Sequence, residues 1–95
     1  MIEYTLVMTK TEVKPITVQV LDLQTSETVA SAVVTHSPPS GSALTITPTI
    51  VTPYVNMVFG PFAVAGIHYV KVQAVGNAAA PSKPEVLYTV EVRDV

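Results

Sequence analysis

The chain has 95 residues, with no cysteine and no tryptophan, and its five Lys or Arg against seven Asp or Glu give a net charge of −2. That length fits one domain with a modest core, the missing cysteines exclude disulfides and thiolate metal sites, and the sparse cations exclude the basic footprint of a nucleic-acid binder. Charged residues are only 13% of the chain against an average of about 25%, so the surface must use Thr, Ser, Ala, Gln and some apolar side chains.

Residues 2–9 alternate, with Ile2, Tyr4, Leu6 and Met8 against Glu3, Thr5, Val7 and Thr9, so the segment 1–10 reads as a first strand or an N-terminal arm. It has neither a basic leader nor a continuous apolar stretch, so it does not read as a secretory signal. If Met1 is the native start, export by that route is not expected. No apolar run approaches the roughly 18 residues of a membrane-spanning helix.

Pro15 suits the edge start of a second strand, 16–21, with Ile16, Val18 and Val20 inward. The polar stretch 22–28 reads as a turn. A third strand is expected over 29–35, apolar on both faces and therefore without a clear phase. The stretch 36–42, with two prolines and a glycine, reads as a loop, which would make His36 a solvated loop residue. Leu44 to Ile50 alternates again, and Pro48 marks it as an edge strand or a bulge.

Tyr54 to Phe59 follows, with Val55, Met57 and Phe59 as its inner face, and Gly60 to Gly66 reads as a corner between sheets. Ile67 to Val75 has a clean period of two and is expected to be a core strand. After a loop from Gly76 to Pro84, Glu85 to Arg93 forms the last strand, with Val86, Tyr88, Val90 and Val92 inward. The last two strands should form an antiparallel hairpin, with Lys71 opposite or diagonal to Glu91, a pair contributing at most about 1 kcal/mol. No segment has convincing helical periodicity. The expectation is a single all-β domain, 1–95, an immunoglobulin-like sandwich of about seven antiparallel strands.

The residues supply little catalytic chemistry. No Ser sits in a nucleophile elbow, no glycine-rich phosphate loop exists, and the carboxylates form no clustered oxygen cage for Ca²⁺. An enzyme, a metal centre or a cofactor is not expected, and a small-molecule ligand is not favoured. His68 shares parity with Val70, Val72 and Ala74, so it should point inward. Two readings stand for it: a catalytic or metal-binding histidine, or one replacing the tyrosine of a tyrosine corner and donating to a backbone carbonyl, with Gly66 beside it. The second is preferred because a buried imidazole needs a partner and the corner supplies backbone groups.

Val18-Gln19-Val20-Leu21-Asp22, followed by Glu27-Thr28-Val29-Ala30-Ser31-Ala32-Val33-Val34, resembles the opening of bacterial immunoglobulin-like domains. Gly66-Ile67-His68-Tyr69-Val70-Lys71-Val72 is similar to their glycine-led penultimate strand. With the closing Leu87-Tyr88-Thr89-Val90-Glu91-Val92-Arg93, the chain also resembles small immunoglobulin-like proteins encoded among the structural genes of tailed bacteriophages and prophages. Those domains usually place the aromatic of this strand two residues after the glycine, where this chain has His68, with Tyr69 one place later.

The resemblance implies a non-enzymatic structural or interaction module associated with a virion. Alternatives are a domain of a bacterial surface or adhesion protein, located at the cell surface, and a small carbohydrate-binding module using Tyr54 or Tyr69. Protein partners or self-association are expected, with no nucleic acid and no membrane span. The surface expected to serve them is the outward face of the last two strands, with Ile67, Tyr69, Lys71, Val75 and Leu87, unless a loop or the N-terminal arm covers it.

Overall fold

A computed structural model describes residues 2–20, 23–78 and 81–94. The alternating segments become eight strands: β1 (Ile2–Thr9), β2 (Lys14–Gln19), β3 (Val29–Ser37), β4 (Leu44–Ile46), β5 (Thr49–Val51), β6 (Tyr54–Phe59), β7 (Gly66–Gly76) and β8 (Glu85–Arg93). No helix occurs among the described residues. One sheet has five strands in the order β1-β8-β7-β3-β4 and the other three, β2-β6-β5. They form a β-sandwich whose core joins Val18, Val55, Met57 and Phe59 from the small sheet to Val34, Val70, Val72, Val90 and Val92 from the large one. Each fully buried side chain of this kind contributes about 1.5–3 kcal/mol.

Inward parity holds along β2, β6, β7 and β8 as the alternation predicts. The expected strand end at Leu21 and turn start at Asp22 lie outside the described residues, as do Ala79 and Ala80 of the expected loop. The phase of β3 is resolved by a shift in its pairing with β7 between Val29 and Ser31. The irregularity lets Val29 face inward ahead of it, and Val34 and His36 after it, so both parities carry buried side chains.

Four expectations need correction. The segment from Leu44 to Ile50 is two strands, not one, because Pro48 cannot donate to a ladder; β4 ends before it in the large sheet and β5 begins after it in the small one. The strands are not all antiparallel: β1 runs parallel to β8, Ile2 beside Val86 through Thr9 beside Arg93. It extends the sheet edgewise and does not lie over the outer face. His36 and Ser37 belong to β3, paired with Val70 and Tyr69, so the loop begins later than the prolines suggested. The β7–β8 hairpin is antiparallel with faces matched, but bonding continues through Gly76 N–H to Ser82 O, so its connection is shorter than expected. Lys71 therefore opposes Leu87 and forms its ion pair with Glu85, at 3.7 Å, while Glu91 opposes Ile67.

The hairpin end is clamped by Glu27, in the turn before β3. Its buried carboxylate accepts hydrogen bonds from Gln24 N–H (2.9 Å), Ser82 N–H (3.0 Å), Ser82 Oγ (2.7 Å) and Ala78 N–H (3.4 Å). Nearby, Thr28 N–H donates to Asn77 Oδ1 and Asn77 N–H to Thr28 O. Gly76 is required at this point, since a Cβ there would collide with the Glu27 carboxylate. The donors, led by Gln24 and then Ser82, hold the Glu27 pKa at about 2, well below its ordinary 4.5.

Two outcomes follow for this clamp. A carboxylate with a depressed folded pKa gives stability that is full above its unfolded value and is lost as pH falls through the folded one. Urea denaturation should therefore show wild type losing its advantage over Glu27→Gln between pH 4.5 and about 2. Gly76→Ala should lower the urea midpoint at neutral pH, because the displaced carboxylate gives up its bonds from the part-buried Ser82 and Ala78. A neutral effect of that substitution would mean the clamp does not hold the hairpin.

Candidate functional site

At the other end of β3 and β7 the two histidines meet. His36 Nε2 lies 2.7 Å from His68 Nδ1, and His68 Nε2 lies 2.7 Å from Val64 O, in the Gly60 to Gly66 corner. The tautomers follow from the partners. Val64 O can only accept, so His68 Nε2 carries a hydrogen; with that hydrogen on Nε2, His68 Nδ1 serves as the acceptor and His36 Nε2–H donates to it. Nδ1 of His36 is the one ring nitrogen that the relay does not use.

Both rings are buried, His68 being 2% exposed and His36 6%. Phe62, from the corner, stacks on both, with centroid distances of 4.3 Å to His36 and 5.1 Å to His68. Burial, and then repulsion from His68, push the His36 pKa below its ordinary value. Gly66 has φ +128°, in the left-handed region, and a Cβ on it would stand 3.0 Å from Pro39 Cγ, so the corner and the loop after β3 close tightly at this glycine.

His68 thus lies where its parity puts it, bonded to backbone in the corner. His36 corrects the solvated-loop expectation: it continues the β3 alternation, and strand pairing carried past Thr35 turns its ring onto His68. Even spacing from Val34 was the one sequence signal for this, and the Ser-Pro-Pro run after it obscured that signal. The two rings line a groove of about 510 Å³ with Leu44, Ile46, Pro61 and Phe62 among its walls. Near the opposite end, a cleft of about 300 Å³ is lined by Val18, Val20, Val72, Ala74 and Val86. No group of three His, Cys, Asp or Glu side chains placed to hold a metal occurs among the described residues.

The outward residues Ile67, Tyr69, Lys71, Val75 and Leu87 do share one face of the large sheet, with Tyr69 48% exposed and Val75 and Leu87 half-buried. They do not form the contiguous apolar patch expected. Ile67 is flanked by Glu91, Tyr69 by Thr89 and Ser37, and Leu87 by Lys71 and Glu3. Tyr54 points outward from the small sheet, so Tyr54 and Tyr69 occupy opposite sides of the sandwich and cannot form a shared sugar platform.

The histidine relay makes its own predictions. His68→Ala should cost about 1–3 kcal/mol by emptying a fully buried ring position and leaving the buried His36 donor without its acceptor. His68→Tyr, which a simple tyrosine corner would tolerate, should also destabilise, because it removes the acceptor for His36. Unfolded chains take up a proton at His36 near 6.5 while the folded protein resists it, so stability is full above that value and declines as pH falls through it. His36→Gln, which keeps a donor but cannot titrate, should flatten that decline in denaturation midpoints measured across the range; an unchanged slope would assign it to another group.

No family model matches this chain, and no curated protein matches it.

Proposed function

We propose that this protein is a non-enzymatic immunoglobulin-like interaction module that docks onto a protein assembly through the outer face of its large sheet. The observation that carries the reading is that face itself. β7 and β8 present Ile67, Tyr69 and Leu87 between Lys71, Thr89, Glu91 and Arg93, with Ile67 and Tyr69 exposed to solvent. Scattered apolar side chains and a tyrosine, interleaved with polar groups, match the mixed composition of a non-obligate interface. Low overall charge reduces the repulsion such a face must overcome.

The immunoglobulin-like assignment is supported by strand order. A three-stranded β2-β6-β5 sheet against β8-β7-β3, extended by β4, corresponds to the BED and GFC sheets of that architecture with an added C′ strand, and β1 lies parallel to the final strand. Given the resemblance to immunoglobulin-like proteins encoded among phage structural genes, the assembly to test is a virion.

Mass spectrometry of purified particles from the encoding strain should find the chain at a fixed ratio to the major structural proteins. Tyr69→Lys, at an exposed position, should leave the fold intact and release the chain from the particles. Absence of the wild-type chain from particles, or retention of the Tyr69→Lys variant, would overturn the docking surface proposed here.

A further inference from the structure

The large sheet ends in a long edge that no strand among the described residues pairs. β1 bonds to β8 on one side only, through eight consecutive residues without a bulge. In a parallel pair the bonded residues alternate, so every second residue of β1 turns its N–H and C=O toward the open side. Edge strands are commonly blunted by proline, lysine, a bulge or shortness. The other three edges follow that rule: β4 and β5 have three residues each, and β2 opens on Lys14-Pro15. β1 has none of these devices, and its only charge is Glu3.

A separate observation concerns the inner side of the same strand. Ile2, Tyr4, Leu6 and Met8 share parity with the buried Val86, Tyr88, Val90 and Val92 beside them. Met8 is buried, yet Ile2 is 37% and Tyr4 48% exposed. Five strands face three, and β1, outermost on its side, reaches past the cover that the small sheet provides. The open edge and the uncovered apolar row are thus on one strand.

We propose that β1 pairs antiparallel with β1 of a second copy, Leu6 opposite Leu6, joining the two large sheets across a two-fold axis. Antiparallel pairing of identical strands is self-complementary and closes at two copies, because each chain offers one such edge. The register keeps inner residues on the inner face and opposes Tyr4 to Met8, Thr5 to Val7 and Glu3 to Thr9. No like charges face each other, whereas parallel in-register pairing would set Glu3 against Glu3.

Sedimentation equilibrium tests the pairing. The wild type should weigh twice its 10.1 kDa chain mass. Thr5→Lys with Val7→Lys, both at exposed outer-face positions, opposes lysine to lysine twice across the axis and should halve that mass, with the β-sheet circular dichroism retained. Thr5→Lys with Val7→Glu opposes lysine to glutamate at the same places and should restore the dimer. Tyr69→Lys should leave it unchanged, which separates this interface from the docking face. A monomeric wild type, a double-lysine variant that stays dimeric, or a charge-paired variant that fails to dimerise would each overturn the proposal.

Discussion

Successive side chains of a strand point to opposite faces, so a long strand inside a sheet commits its residues in two sets at once. β7 is the third of five strands in the large sheet and the longest, at eleven residues. Its even set, His68, Val70, Val72 and Ala74, enters the core, and its odd set, Ile67, Tyr69, Lys71, Gln73 and Val75, forms the outer face. Pairing on both sides then places the neighbours: β8 brings Tyr88 and Val90 inward beside it, and β3 brings Val34 and His36. A slip of one residue would exchange the two sets and put lysine in the core, so the register is strongly specified. The histidine relay and the exposed outer face of the large sheet are two consequences of that one alternation.

From the end of β7, ring contacts run across the whole sheet. His36 and His68 stack with Phe62, Phe62 lies 6.2 Å from Phe59, Phe59 meets Tyr88 edge-on at 5.2 Å, and Tyr88 stacks on Tyr4 at 5.2 Å. Edge-to-face and offset contacts of this kind add to simple burial. With no tryptophan available, Phe59, Phe62 and Tyr88 of this row are the large aromatic members of a core otherwise built mainly from valine. Burial, with Tyr4 beside it, raises the Tyr88 pKa. The row begins in the groove and ends at the open edge of β1, so the two most unusual surfaces of the molecule rest on one packed element.

What could be read from the sequence was what depends on local alternation: the inner faces of β2, β6, β7 and β8, the change of sheet across the Gly60 to Gly66 corner, and the inward His68. What could not be read depends on partners distant in the chain. The parallel pairing of β1 leaves no local mark, because a strand alternates in the same way beside a parallel or an antiparallel neighbour. The partner of His36 is 32 residues away, at His68, and the Pro-Pro run directly after Ser37 argues for a loop. Glu27 stood in a stretch that read as a polar turn, and only the return of the β7–β8 hairpin supplies Ser82 and Ala78 as its donors. Proline gave mixed information. Pro48 did disrupt a ladder, but whether the strand ends, bulges or crosses to the other sheet is decided by which sheet has a place for Thr49 to Val51.

The two ends of the sandwich solve one problem with opposite electrostatics. At each end a loop must be fastened to strands whose connecting backbone groups would otherwise lack partners. The hairpin end uses a full negative charge, surrounded by N–H and O–H donors that stabilise the ionised form. The corner end uses two imidazole rings in series, which satisfy a carbonyl while Phe62 stacks on both. A carboxylate in place of His36 would face the acceptor nitrogen of His68 in an apolar groove, where ionisation is costly. A histidine in place of Glu27 could not accept from Gln24, Ser82 and Ala78 together, having at most one acceptor nitrogen. Each group therefore matches the donors and acceptors that its own end of the fold presents. Acidification works against both ends, first where His36 must stay neutral and then where Glu27 must stay charged.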